Sequence, residues 1–421
     1  MSKRNAYDIL IERGFVKQVT NENAVRELFT SKPVTAYVGF DATADSLHVG
    51  NFLGLMALAH LQREGHRPIA IIGGGTTLIG DPSGKTEMRK MLSREKIEQY
   101  ASKIKSQIAR YIELDGKRGF AVNNADWLVD LKYIEILRDI GKHFSVNRML
   151  TAEAYKARLE TGLSFLEFNY QILQAYDFLM LFRKYNCTLQ LGGDDQWGNI
   201  LAGVDLIRRV EGAEVEGITW PLLTTAAGQK MGKTAAGAVW LDATKVSPYE
   251  FYQYWINVDD LDVKKFLTCF TFLPLPEIQS LTENNEPDIR NAKERLAFEA
   301  TKITHGEEEA QKARVASRSL FGGMELDISA IPTTRIDAAR LRTGISVVDI
   351  LTEVSLASSK SEARRLIQQG GAYINQTRVE GIDVLIKESD FENSSLILRG
   401  GKKRYHRLIL EEIGNNQKKK K

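Results

Sequence analysis

The chain has 421 residues, of which 43% are apolar and 26% charged, with a formal net charge of +3. That length exceeds what one hydrophobic core organises, so two or three domains are expected, and the composition excludes the disordered and fibrous classes. No apolar run reaches the roughly 18 to 20 residues of a membrane helix and the start, MSKRNAYDILIERG, lacks a signal-like apolar region, so a cytoplasmic protein with no membrane partner is expected.

Reading along the chain, VTAYVGF (34–40) is a β-branched and aromatic run that reads as a buried strand, and HVGNFLGLMALAHLQR (48–63) has helical apolar spacing. IAIIG (69–73) is a second strand leading into a Gly-rich turn. This βαβ order predicts a parallel sheet with a ligand crevice at the carboxyl ends of its strands. Helical patterns follow over 93–113 and 131–184, interrupted by GFAVNNADW, a further strand candidate. CTLQLG (187–192) reads as a strand, and DDQWGNILAGVDLIRRV opens a helix with two acids in its first turn, where the dipole favours them.

Beyond Pro221 comes a small-residue stretch, TTAAGQKMGKTAAGA, and then an all-helical region from 247 to about 320. A third unit begins near Gly344, after the weakly patterned stretch 322–343. In it Ser359 and Glu362 are expected to form a capping box, Gly370 and Gly371 to end the helix, and short strands to follow. Cys187 and Cys269 lie far apart, with no metal-ligand spacing, and are expected to be reduced and semi-buried, so no structural metal is expected. Charge is unevenly spread: from Leu356 onward there are 14 Lys and Arg against 8 Asp and Glu, which suits a polyanionic partner.

The turn YVGFDATADSLHVGN (37–51) joins the first strand to the first long helix. A helix N-terminus presents unpaired N–H groups and positive dipole potential, so this junction is a natural seat for phosphate. His48 on its first turn can donate to phosphate oxygens, and Gly50 lets a flat base approach the backbone. From the turn alone, His48 as a plain cap and Gly50 as a packing glycine remain equally open.

HVGN after GFDATADSL, together with KMGKT at 230–234, resembles the paired signatures of class I aminoacyl-tRNA synthetases, usually written HIGH and KMSKS. The blocks YVGFDATADSLHVGN, GHRPIAIIGGGTTLIGDPSGK, NYQILQAYDF, LQLGGDDQWGNI and KMGKT resemble those of the bacterial tyrosyl-tRNA synthetase family in that family's order, and SKSEARRLIQQGGAYIN resembles an S4 RNA-binding domain. The resemblance implies a Rossmann-like α/β catalytic domain with a helical insertion at 1–228, a signature loop and connector at 229–246, and an all-helical anticodon-binding domain at 247–321. A linker at 322–343 and a small α+β S4-like domain with a basic tail at 344–421 complete the implied order. It further implies ATP as substrate with Mg2+ accompanying it, L-tyrosine and tRNA(Tyr) as partners, and a homodimer.

The chemistry so implied is attack of an amino-acid carboxylate on the α-phosphorus of ATP. Charge builds on the phosphoryl oxygens and the leaving pyrophosphate, which calls for preorganised donors and cations rather than a nucleophile of the enzyme's own. The resemblance assigns Thr43, His48 and Asn51 to the triphosphate, Lys85, Arg89, Lys230 and Lys233 to the pyrophosphate, and Thr234 to the same loop. Gly39, Asp41, Gly50, Asp195 and Met231 are implied at the nucleotide. Tyr37 and Asp177 are implied at the phenol hydroxyl, Asp81, Tyr170 and Gln174 at the ammonium, Gln190 along the pocket and Gln196 at the carboxylate. Buried groups that await a hydroxyl reject an analogue lacking it, and this enzyme family is itself the established case. Helical spacing puts Tyr170, Gln174 and Asp177 on one face, a face that spacing alone also allows to be polar surface. Asp194 reads as a helix cap.

Asn51 stands at the second His position of HIGH and can donate a hydrogen bond but carry no charge, Gly232 replaces the middle Ser of KMSKS, and Ala42 stands where a proline is common. Two enzyme rivals stay open. A P-loop reading of GDPSGKT meets three residues between Gly80 and Gly84 where the motif has four. A tryptophan-specific relative would share the signatures but not the Tyr37 and Asp177 pairing. The third alternative is an RNA-binding factor that has lost catalysis, which the retained His48, Lys230 and Lys233 argue against. Lys360, Arg364 and Arg365 on one helix, with Lys402, Lys403 and Arg404 in RGGKKRYHR, form a basic patch suited to salt-dependent RNA binding.

Overall fold

The computed structural model describes every residue except 1–4, 32, 84–90, 153–154, 156–157, 161, 227, 229–230, 235–236, 284–287, 323–331, 376, 402–403 and 412–421, and of 31, 233–234 and 319–322 only the backbone. Contacts divide the chain into two units, residues 1–246 with 258–304, and residues 247–257 with 305–421.

The first unit is built on a six-stranded sheet: β1 (Gln18–Val19), β2 (Thr35–Asp41), β3 (Arg67–Gly73), β4 (Phe120–Asn123), β5 (Leu189–Gly193) and β6 (Glu216–Trp220), in the order β1-β6-β5-β2-β3-β4. All neighbours pair in parallel except the short edge strand β1, which runs antiparallel to β6. The expected mixed α/β architecture with a parallel sheet is therefore present. The inner strands read as near-continuous apolar runs because helices cover both of their faces. The helix Val49–Arg63 is apolar nearly all round, as a helix enclosed by the sheet and other helices must be.

The strand order reverses between β2 and β5. β2 pairs with β3 from Thr35↔Arg67 to Asp41↔Gly73, but with β5 only at Ala36↔Leu189 and Tyr37↔Gln190. Beyond Tyr37 the two strands part, which opens a crevice at their carboxyl ends, the position expected for a ligand in an open parallel sheet.

The region 131–184, expected as one helical pattern, is broken into Tyr133–Asp139, Gly141–His143, Val146–Leu150, Phe165–Phe168 and Tyr170–Tyr185. A capping box starts the fourth of these: Glu167 N donates to Ser164 Oγ (3.2 Å) and Ser164 N to Glu167 Oε2 (3.2 Å). Glu167 also pairs with Arg158 at 3.0 Å, with only 3% and 5% of the two side chains exposed. This buried pair fixes the entry of the helix Tyr170–Tyr185. Both cysteines are free, and fully rather than partly buried.

In the second unit the helix Pro248–Ile256 packs on Glu307–Gly322, where Gln253 Nε2 donates to Ser317 Oγ (3.0 Å). A five-stranded sheet follows, in the order Thr377–Arg378, Ala372–Ile374, Ser395–Gly400, Arg404–Glu411, Thr333–Asp337. Thr333–Asp337 lies in the stretch read as a linker. It is a strand because it pairs in parallel with Arg404–Glu411, a partner about seventy residues away that local patterning cannot reveal. The helices Val347–Glu353 and Lys360–Gln368 close a core of Val347, Ile350, Leu351, Ala363, Ile367, Leu396, Leu398 and Leu408. The expected capping box is only half formed: Glu362 N donates to Ser359 Oγ (3.2 Å), while the Glu362 carboxylate accepts from Ser358 N (2.7 Å), one residue earlier.

Removing one partner of a buried ion pair strands the other charge, at a cost of about 3–5 kcal/mol. Arg158→Met is accordingly expected to lose stability of that order in urea denaturation, and Arg158→Met with Glu167→Gln to lose markedly less.

Candidate functional site

The crevice at the β2/β5 divergence is a cleft of about 550 Å³. Of the residues singled out from sequence, Tyr37, Gly39, Asp41, Thr43, His48, Gly50, Asn51, Asp81, Tyr170, Gln174, Asp177, Gln190, Asp195, Gln196 and Met231 all line it. Lys85, Arg89 and Lys230 lie outside the described residues, and Lys233 and Thr234 are described by backbone alone, as the strand Lys233–Thr234.

The closed end of the cleft is buried and polar. Tyr37 is 1% exposed, and neither its hydroxyl nor the side-chain oxygen of Gln190 has a hydrogen-bond partner among the described residues. Beside them the Asp177 carboxylate accepts from Asn124 Nδ2 (2.8 Å) and Trp127 Nε1 (2.7 Å). Burial pushes the Asp177 carboxyl up from 3.8 to about 7, against the pull of those two donors, and burial raises the Tyr37 hydroxyl well above its ordinary value. Unpaired buried polar atoms are costly, so these two await a polar partner in the cleft.

Asn124 and Trp127 escaped the reading of the sequence. They follow β4 in the GFAVNNADW segment, and the one available signal was a pair of asparagines at the carboxyl end of a strand, on the sheet edge where ligands bind. Asn124 Nδ2 also donates to Thr76 Oγ1 (3.0 Å), and Thr76 Oγ1 donates to Asp41 Oδ1 (2.9 Å). Tyr170 donates to Asp41 Oδ2 (3.2 Å), so one network runs from Trp127 to Tyr170.

The middle of the cleft holds a cluster of carboxylate and amide groups. Asp81 accepts from Gln196 Nε2 (3.0 Å) and from Ser83 N (2.8 Å). Asn199 Nδ2 orients Gln174 Oε1 (2.9 Å) and Gln196 Oε1 (3.1 Å). Tyr170, Gln174 and Asp177 do share the inner face of one helix, Tyr170–Tyr185, so the polar-surface alternative does not hold for them. Asp194 is not a cap: its carboxylate binds Lys17 Nζ (2.6 Å), Gln18 Nε2 (2.6 Å) and Thr219 Oγ1 (3.1 Å), tying the edge strand to the loop that carries Asp195 and Gln196.

At the open end His48 is the N-cap of Val49–Arg63. Gly50 N donates to His48 Nδ1 (3.0 Å), and His48 N donates to Asn51 Oδ1 (3.1 Å). Asn51, at the second signature position, thus spends its side-chain oxygen on the cap and carries no charge. A Cβ on Gly50 would lie 2.7 Å from the His48 ring, so the histidine needs that glycine to fold over the helix start.

In the second unit Arg364 and Arg365 are exposed on Lys360–Gln368, Lys360 pairs with Asp349 (2.8 Å), and Arg404 lies 4.0 Å from Glu362, beside the same helix. Lys402 and Lys403 lie outside the described residues.

A sheet switch point with a helix N-terminus at one end of its cleft and a buried polar pocket at the other is the arrangement of a nucleotide-binding α/β domain. Residues 30–322 match the family model for class I tRNA synthetases (W and Y), and residues 324–408 match the C-terminal domain model of tyrosine–tRNA ligases. A tyrosine–tRNA ligase of Clostridium botulinum (strain Loch Maree / Type A3) is 55% identical over 407 residues, spanning 97% of this chain and 100% of its own length. That of Acetivibrio thermocellus is 54% identical over 407 residues, spanning 96% and 99%. The solved structure of a C-terminally truncated Aspergillus nidulans mitochondrial tyrosyl-tRNA synthetase superposes with a TM-score of 0.69 at 32% identity, covering 76% of this chain and 95% of that one. The chain belongs to the tyrosine–tRNA ligase family.

Proposed function

We propose that the chain activates L-tyrosine with ATP to tyrosyl-adenylate and pyrophosphate, and then transfers the tyrosyl group to the 3′ end of tRNA(Tyr). The observation that carries this reading is the trio at the closed end, where the unpaired Tyr37 hydroxyl and Gln190 oxygen line the same cleft as the Asp177 carboxylate. A phenol hydroxyl donates to Asp177 and accepts from Tyr37, and phenylalanine can do neither.

With the ring so placed, the ammonium falls among Asp81, Tyr170 and Gln174, and Gln196 reaches the carboxylate. A carboxylate oxygen then attacks the α-phosphorus, the bond to the pyrophosphate oxygen breaks, and pyrophosphate leaves with the electron pair. Gly39, Asp41, Gly50, Asp195 and Met231 hold the nucleotide, with Asp195 at the ribose. Thr43, His48 and the helix N-terminus face the α- to γ-phosphates, while Lys85, Arg89, Lys230 and Lys233, with Thr234 beside them, neutralise the leaving group. Mg2+ enters with ATP, bound by its phosphates. In the second step the ribose hydroxyl of the tRNA terminus attacks the activated carbonyl and AMP departs.

The tRNA is held by the helical segment 247–321 and the S4-like domain, 344–421, with Lys360, Arg364, Arg365, Lys402, Lys403 and Arg404 on phosphates. A second copy of the chain covers the apolar side chains exposed along residues 133–165, namely Tyr133, Ile134, Leu137, Val146, Leu159 and Phe165. Ile134 and Phe165 there are 72% and 68% exposed, more apolar exposure than a monomer keeps in one short region. No described helix is long and apolar enough to cross a membrane, which is consistent with a cytoplasmic site of action.

Exchange of labelled pyrophosphate into ATP is expected with tyrosine and not with phenylalanine or tryptophan; exchange supported by phenylalanine at comparable rates would overturn the phenol pocket. Because the phenol donor favours ionised Asp177, tyrosine binding lowers that pKa. Tyrosine affinity, read by equilibrium dialysis, is therefore expected to fall as pH drops below about 7, approaching tenfold per pH unit. Arg364→Glu with Arg365→Glu is expected to raise KM for tRNA about tenfold at low salt and leave exchange unchanged. Phe165→Asp is expected to shift sedimentation from dimer to monomer at micromolar concentration.

A further inference from the structure

The two signature segments are joined by backbone hydrogen bonds through residues 237–241. Lys233–Thr234 pairs antiparallel with Gly237–Ala238, and Val239 N donates to Gly232 O (2.9 Å). The same segment continues alongside the first signature: Val49 N donates to Val239 O (2.9 Å), Leu241 N donates to Leu47 O (2.9 Å), and Trp240 forms an antiparallel bridge with His48. The strand Gly237–Ala238 and the isolated bridge at Trp240 thus place residues 237–241 between the backbone of Lys233 on one side and that of His48 on the other. Gly232 sits at φ +80°, and a Cβ built there would lie 2.8 Å from the amide nitrogen of Gly50, so the close approach of the two backbones seen here uses the missing side chain at 232.

Side chains hold this strand in register. The Trp240 ring lies 6.1 Å from the His48 ring and lines the cleft. Lys245 Nζ stands 5.3 Å from the centre of the Trp240 ring and 2.7 Å from Asp45 Oδ1, and Lys103 Nζ approaches Asp45 Oδ2 at 3.3 Å. Asp45 belongs to the same turn as Thr43 and His48. The cation between ring and carboxylate therefore ties the far end of the strand to the phosphate-binding turn.

We propose that Trp240, seated by the Lys245–Asp45 pair, is a positioning residue that registers the Lys233 strand on the His48 turn, so that the two signatures meet the triphosphate as one unit. This inference rests on the adenylate-forming reading above. Its physical basis is that a misplacement of about 1 Å among groups acting on a transition state costs on the order of a hundredfold in rate. Ground-state binding of tyrosine, at the opposite end of the cleft, does not depend on this register.

The test is single-turnover pyrophosphate release by the full chain, with tyrosine Kd measured beside it. Trp240→Ala is expected to slow release about tenfold or more while tyrosine Kd stays within about twofold, and Trp240→Phe to recover most of the rate. Asp45→Asn and Lys245→Met are each expected to slow release about threefold, with the double variant no slower than either single, as for two members of one contact. An unchanged rate in Trp240→Ala, or a tyrosine Kd weakened in step with the rate, overturns the proposal. If Trp240→Ala does not bind tyrosine at all, Asp45→Asn and Lys245→Met decide, and full rates in both overturn it. Pyrophosphate-release failure by the unaltered chain would instead remove the adenylate reading itself.

Discussion

The chemistry of this protein depends on the parting of β2 and β5 after two registered pairs. Parallel strands that stay paired to their ends leave no space between them, and the rest of this sheet does so. Where the strand order reverses, the helices that follow β2 and β5 leave toward opposite faces, and the gap between them becomes a cleft with a floor of strand ends. Both halves of the site hang on that gap. Tyr37 and Gln190, the last paired residues, form its closed end, and the turn after β2 brings His48 to its open end.

The closed end illustrates how binding and stability compete. A buried donor or acceptor without a partner costs about 1–3 kcal/mol, and the pocket carries such atoms on Tyr37 and Gln190 beside a carboxyl that burial holds up to about 7. A fold selected for stability alone would fill this space with apolar side chains. Asn124 and Trp127 limit the cost by each donating to one oxygen of Asp177, which fixes the orientation of the carboxylate. The open end follows a different logic: glycines at 50 and 232 admit backbone approach, and donors come from the helix start, which suits a partner that brings its own charge.

Much of the fold was legible because its signals are local. Alternation, apolar runs and the βαβ order carried the sheet, and the i, i+4, i+7 spacing placed Tyr170, Gln174 and Asp177 on one helix face. The residues that line the cleft were picked out through the order of the motif blocks rather than through any single motif. Asn124, Trp127 and Thr76 were not, since each acts on Asp177 or Asp41 across a separation that no periodicity encodes. The strand Thr333–Asp337 was missed for the same reason, and the shift of the Glu362 carboxylate from Ser359 to Ser358 is a matter of side-chain reach within one turn.

By itself, then, the sequence determined the succession of strands and helices, the chemical type of each signature and the concentration of positive charge toward its C-terminal end. Those depend on neighbours within a few residues, or on composition. Only the tertiary structure decided which strands part, which polar atoms stay unpaired in the pocket, that Asp194 points away from it, and that residues 237–241 lie between the two signatures. These outcomes come from packing between segments far apart in the chain, where burial and backbone pairing, not local preference, set the free energy.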